Sequence, residues 1–201
     1  MKLYFSSGAC SLSPHIVLRE AGLPFDLAKV DTRAHKTAEG DDYYAINPKG
    51  YVPLLQLDDG QKLSEGAAIV QWIADQAPAS KLAPPAGTME RYRLQEWLTF
   101  ISSEIHKGFS PLFNPKNPDE VKQGFRDKLA TRFEWIEKQL TGHDYLMGTQ
   151  FTAADAYLFT VLRWSGPTGV DLSRFPGLLA YIARVAARPK VMEALKAEGL
   201  S

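Results

Sequence analysis

The chain of 201 residues contains one cysteine, Cys10, and its neighbours make it a candidate reactive thiol. Lys2-Leu3-Tyr4-Phe5 reads as a short buried strand and Ser6-Ser7-Gly8-Ala9 as a turn. Ser11-Leu12-Ser13-Pro14 reads as a helix start, a hydroxyl residue followed by proline at the first helical position. A thiol at that junction meets the free N–H groups and partial positive charge of a helix N-terminus, which favour thiolate. Cys10-Ser11-Leu12-Ser13 keeps the spacing of a CxxC redox pair with serine in the second place. No internal disulfide can close, so the thiol partner has to come from outside, as a small-molecule thiol would. The other reading is a small buried apolar residue, a common fate of free cysteines.

Three further groups could take part in chemistry. Val52-Pro53 stands at the mouth of an expected hairpin, where proline removes a ladder donor. A trans proline that begins the strand is the reading spacing favours; a cis peptide presenting backbone groups to an extended ligand is the alternative. Ser64-Glu65-Gly66-Ala67 opens a helix, with Ser64 as N-cap and Glu65 as first-turn carboxylate. The same residues could hold an amino-acid-like ligand, its carboxylate on the N–H groups of Gly66 and Ala67 and its amine on Glu65. Thr99, Ser102, Ser103, His106 and Ser110 fall at helical spacing and share one face, where hydroxyls surround a histidine. That lining suits a cleft or a tight contact, and His106 reads either as a site residue or as a satisfied interdomain histidine. His15, His35 and His143 show no metal-ligand spacing, so no metal site is expected.

The elements that position these groups fall into two parts. Strand 2–5, a helix 14–21 ended by Gly22, strand 25–30, a loop 31–42, a hairpin 54–57 and 61–63, and a helix 65–77 give the order βαβ-ββα. Pro78, Pro84, Pro85 and Gly87 mark a linker. Helical patterns follow at about 89–113, 118–140, 153–164, 177–187 and 191–197, with no convincing strand. The expected domains are 1–80 and 88–201, joined by 81–87. Phe151-Thr152-Ala153-Ala154-Asp155 carries a capping box with an apolar staple, a folding signal and not an active site. Hydrophobic residues make up 45 % and charged residues 23 %, with zero formal net charge. This balance fits a globular protein with a real core and argues against nucleic acid or anionic membrane as the main partner. Met1-Lys2-Leu3-Tyr4-Phe5 is too short and too quickly polar for a secretory signal, and no run approaches a membrane helix, so the expected compartment is the cytoplasm.

Taken together the chain resembles the glutathione transferases, the bacterial beta class most closely. The resemblance rests on Lys2-Leu3-Tyr4, Gly8 through Ser13, Asn47-Pro48-Lys49-Gly50 with Val52-Pro53, Glu65-Gly66, Glu104 through Phe109, and Phe151 through Tyr157. It implies an α+β thioredoxin-like N-terminal domain followed by an all-α helical domain, and a homodimer that binds glutathione as co-substrate between the domains. It implies a cis Pro53 with Val52 clamping the cysteinyl part of glutathione, Glu65 and the Gly66 N–H on the γ-glutamyl group, and His35 or Lys36 on the glycine carboxylate. Much of the wider superfamily has serine where this chain has Gly66. Cys10 and His106 would face the sulfur with Ser11 beside them, and Ser103 and Glu104 would reach the glutathione of the neighbouring subunit. Phe109, Phe113, Trp164 and Pro167 would line an apolar electrophile pocket. The implied activity is detoxifying conjugation of glutathione to hydrophobic electrophiles, with thiol-disulfide exchange through Cys10. A glutathione-dependent isomerase or dehalogenase, or a non-catalytic binding protein, are the alternatives.

Overall fold

The computed structural model describes residues 1–200. Two compact units divide the chain: Met1–Leu82 together with the segment from Arg188 on, and Ala83–Ala187. The last helix therefore belongs with the first unit, whereas the sequence placed it with the helical domain. Helical periodicity says that a segment is amphipathic but not which apolar surface it covers.

In the first unit β1 (Lys2–Phe5) pairs in parallel with β2 (Asp26–Asp31) and antiparallel with β4 (Leu54–Gln56). The two-residue β3 (Lys36–Thr37) and β5 (Lys62–Ser64) complete a sheet of order β3-β2-β1-β4-β5. β3 lies in the stretch expected as a loop; two residues are too few to show a period. Register places Tyr4 beside Ala28 and Leu54, and this face packs with Val30, Val52 and Tyr43 of α2 (Tyr43–Ile46). Alternation sends Leu3 and Phe5 to the opposite face. There α1 (Leu12–Ala21) brings His15 to within 6.3 Å of the Phe5 ring, and α1 packs on α3 (Gly66–Gln76). Gly22 ends α1 in the left-handed conformation, as its position predicts. α1 begins earlier than the Ser13-Pro14 signal suggests, with Ser11 as its cap residue. Ser64 is likewise not the N-cap of α3: it ends β5, and Glu65 takes the cap position.

The final helix, α10 (Pro189–Glu198), packs on α1. Glu198 lies at its C-terminal end, with one carboxylate oxygen 2.8 Å from His15 Nδ1 and the other accepting the Gly8 N–H at 3.0 Å. Arg19 donates from Nε to His15 Nε2 at 2.8 Å. Arginine has no acceptor, so Nε2 accepts, Nδ1 carries the proton, and His15 donates to Glu198. Both side chains of the His15–Glu198 pair are fully buried. Arg188, just before α10, forks onto Glu20 at 2.7 and 2.8 Å.

The second unit contains α4 (Met89–Phe100), a π-helical segment Ile101–His106, the short α5 (Lys107–Phe109), α6 (Asp119–Gln139), α7 (Ala153–Leu162), α8 (Ser165–Thr168) and α9 (Pro176–Ala186). The continuous helix expected over 89–113 is thus broken by a π segment, which shifts the i+3/i+4 register of the hydroxyl stripe. Every residue of α7 is buried, and α7 packs against α4 and α9. The capping box is present: Asp155 accepts the Thr152 N–H at 2.8 Å. Asp155 also accepts from Leu146 N–H, Thr152 Oγ1 and Tyr181 Oη. Burial pushes the Asp155 carboxyl up to about 6, and these four donors pull against that shift.

Two stability predictions follow from these buried carboxylates. Glu198→Ala orphans the His15 and Gly8 donors, so chemical denaturation should show a loss of about 3 kcal/mol; an unchanged midpoint would mean the network adds nothing. Because the folded pKa of Asp155 is raised, its contribution is full below about pH 4 and is lost as pH rises through about 6. Subtracting the unfolding free energies of Asp155→Asn from those of the wild type should reveal that falling component. A component rising over pH 4–6 would show that the hydrogen bonds outweigh burial.

Candidate active site

Cys10 sits in the turn that leads into α1, partly buried, with Sγ 3.3 Å from the Val52 carbonyl oxygen. Ser11 is completely buried; its hydroxyl accepts the Ser6 N–H at 3.1 Å and donates to the Ser6 carbonyl at 3.2 Å. Its proton is thus engaged in holding the turn that carries Cys10. Ser13 Oγ donates to the Cys10 carbonyl at 3.0 Å. The turn is therefore locked by hydroxyls on both sides of the thiol.

The Val52-Pro53 peptide is cis, the alternative that the resemblance implied and that spacing did not favour. The loop before it is held from its side chains: Tyr43 Oη and Asn47 Nδ2 both donate to the Tyr51 carbonyl, at 2.8 and 2.7 Å. Burial pushes the Tyr43 hydroxyl up to about 12, so it stays protonated as a donor. A Cβ built on Gly66 would lie 3.9 Å from Pro53 Cγ and 4.0 Å from Ser13 Oγ. The starts of α1 and α3 and the Pro53 loop thus converge, and a Cβ at Gly66 would meet no clash. Glu65 adopts φ +71°, a sparsely populated conformation for a residue with a side chain. Its carboxylate accepts from Lys49 Nζ at 3.1 Å, and Lys49 also donates to Ser64 Oγ at 3.1 Å. Lys49 and Asn47, which hold Glu65 and the Tyr51 carbonyl, were not singled out from the sequence; the Asn47-Pro48-Lys49-Gly50 motif is the signal that points to them, and Tyr43 lies outside it.

His35 also has positive φ, +52°. Its ring stacks on Tyr44 with centroids 4.3 Å apart, Nε2 lies 3.1 Å from Tyr44 Oη, and Nδ1 is buried without a hydrogen-bond partner among the described residues. Lys36 lies on β3 and is exposed. A separate open cavity of about 410 Å³ is lined by Ser6, Lys29, Val30, Asp31, Arg33 and Thr37, and neither Cys10 nor Glu65 borders it. The convergence of α1, α3 and the Pro53 loop marks the candidate site better than that cavity does.

In the second unit His106 ends the π segment. Its Nδ1 lies 2.7 Å from Tyr157 Oη on α7, and Trp164 crosses its ring edge-on at 4.9 Å. Phe113 meets Trp164 at 5.5 Å and is half-exposed, so these two can border an apolar ligand. Phe109 meets Trp164 at 5.8 Å but is fully buried against Phe133, which makes it a support and not a lining residue. Pro167 is exposed on α8. Ser103 donates to the Thr99 carbonyl within its own helix, and Glu104 accepts from Arg132 Nε at 2.9 Å. Part of the hydroxyl stripe is thereby explained by back-bonding to the preceding turn, which Ser110 repeats on His106. Among the described residues no group of three or more His, Cys, Asp or Glu side chains could hold a metal ion.

A mixed five-stranded sheet with a thiol at the first helix start, followed by a helical unit, defines a thioredoxin-like N-terminal unit with an all-α partner. Residues 8–76 match the family description "Glutathione S-transferase, N-terminal domain" and residues 100–189 "Glutathione S-transferase, C-terminal domain". The chain is 46 % identical over 200 residues to glutathione S-transferase GstA of Escherichia coli O157:H7, covering 100 % of both chains. Among solved structures it is similar to BphK, a bacterial GST in a ternary complex (58 % identity, TM-score 0.98, 100 % of both chains). It is also similar to a sphingomonad glutathione S-transferase complexed with glutathione (47 % identity, TM-score 0.96, 100 % of both chains). The chain belongs to the glutathione S-transferase family.

Gly50 offers a local test of how the site is built. It has φ +67°, and a Cβ there would approach the Tyr44 ring to 2.7 Å and His35 Nδ1 to 3.1 Å. Gly60 has φ +86° with no atom within 4 Å of such a Cβ. Gly60→Ala should lose about 1–2 kcal/mol for left-handed backbone alone, and Gly50→Ala measurably more in the same thermal unfolding experiment. Equal losses would mean that the His35–Tyr44 stack yields freely.

Proposed function

We propose that the protein joins the sulfur of glutathione to electrophilic carbon atoms of hydrophobic substrates. The observation that carries this reading is the thiol of Cys10 set on the Val52 carbonyl at the start of α1, with Gly66 and Glu65 alongside, in a member of this family. The Val52 backbone takes the cysteinyl part of glutathione, and Glu65 with the Gly66 N–H takes the γ-glutamyl end, the amine replacing or joining Lys49 on the carboxylate. His35 or Lys36 takes the glycine carboxylate.

A thiol of pKa about 8.5 is only a few per cent ionised near neutrality. Lowering that value by two units requires ~2.7 kcal/mol of preference for thiolate. The helix start at α1 supplies it through N–H donors, and the family resemblance assigns His106 to the same sulfur. The thiol proton passes to solvent water, the sulfur lone pair attacks carbon, and the leaving group departs with its bonding electrons. Cys10 is then a neighbour of the reacting sulfur; in thiol-disulfide exchange its thiolate attacks a glutathione-containing disulfide, forming a mixed disulfide with glutathione and releasing the second sulfur as thiolate. The protein works as a cytoplasmic homodimer. Support for the second copy comes from the aromatic group Trp97, Phe100 and Trp135, whose rings lie 4.9 to 6.0 Å apart and which leaves Trp135 exposed.

Glutathione conjugation to a chlorodinitrobenzene electrophile tests the reading. The wild type should give a rate well above buffer; Cys10→Ala should keep most of it and lose thiol transfer. Loss of both activities would overturn this division of labour, and glutathione binding without turnover would make the protein a carrier.

A further inference from the structure

A histidine presents a donor or an acceptor to its ligand according to what holds its other nitrogen. His106 is held at Nδ1, 2.7 Å from the hydroxyl of Tyr157. That hydroxyl stands on a rigid base. Tyr157 is almost fully buried on α7, five residues after the Thr152 cap, in a helix with no exposed residue. The imidazole is confined from another side by Trp164, 4.9 Å away at 69°. The main chain is also adapted to the contact, since His106 closes the π-helical segment, an insertion that re-aims side chains and recurs at functional sites.

We propose that Tyr157 is a positioning residue: its phenolic O–H donates to His106 Nδ1, leaving Nε2 as the protonated nitrogen. Nε2 lies across the ring from Nδ1, so His106 presents an N–H donor and not a proton acceptor on the side away from Tyr157. The phenol is the stronger donor of the two, so the 2.7 Å contact is a stronger hydrogen bond with the Tyr157 proton in it than with the imidazole proton. This inference rests on the reading that His106 serves the reacting sulfur, and it deepens that reading. His106 stabilises thiolate by a hydrogen bond, and the proton released by glutathione goes to solvent water and not to this imidazole.

The test combines kinetics with nitrogen-15 NMR of the imidazole in the full-length protein. Wild-type His106 should be the Nε2–H tautomer, and Tyr157→Phe should turn it into a mixture while thermal stability and circular dichroism report an intact fold. Conjugation kcat should fall about tenfold, with KM for glutathione little changed, as expected for one lost hydrogen bond to a reacting group. In a His106→Ala background the Tyr157→Phe change should have no further effect, which additive structural damage would not produce. Nδ1–H in the wild type overturns the proposal outright and decides the matter even if Tyr157→Phe fails to fold. An unchanged tautomer and kcat in Tyr157→Phe, with His106→Ala still impaired, overturns it while leaving the functional reading in place. Full activity in His106→Ala removes that reading and this inference with it.

Discussion

The turn between β1 and α1 is the constraint on which the first unit's chemistry depends. A thiol at a helix start is useful only if the turn holds it there, and the six residues 6–11 of irregular backbone do not hold themselves. Ser11 bridges both backbone groups of Ser6, and Ser13 takes the Cys10 carbonyl. Glu198, 190 residues further along the chain, takes the Gly8 N–H. The same carboxylate holds His15 on α1, which Arg19 holds in turn. One buried charge thereby fixes the turn, the helix it feeds and the helix that closes the chain. Such a carboxylate needs several donors to offset its desolvation, and the surrounding residues supply them.

The second unit solves a related problem with α7. A helix buried along its whole length cannot leave its first turn unsatisfied. Asp155 answers that need, and by reaching Leu146 and Tyr181 as well it ties the helix start to a preceding loop and to α9. Tyr157 stands two residues beyond it, so the phenol that meets His106 inherits this rigidity. A motif read from sequence as pure folding chemistry thus also supports the candidate catalytic histidine.

Much of this was legible early, and for definite reasons. Alternation and helical spacing located nearly every long element, because those periods follow from which face is buried. Gly22 and the Thr152–Asp155 pair marked helix ends correctly, since their effect is local. Ser13-Pro14 and Ser64 misled, because hydroxyl side chains have other partners: Ser11 and Ser13 serve the turn, and Ser64 meets Lys49. The π segment at Ile101–His106 was invisible, as one extra residue in a turn leaves no compositional trace.

By itself the sequence determined the order of elements, the single thiol at a strand-to-helix junction, and the family, whose motifs are short and lie at the right intervals. Tertiary structure alone decided that α10 packs on α1, that Ser11 is a lock, that Phe109 is a support, and that Tyr157 meets His106. The physical reason is range. Periodicity and capping act over a few residues and leave their mark on neighbours in sequence. A buried carboxylate or phenol chooses its partner by proximity in space, and residues 183 or 51 positions apart carry no local sign of the choice.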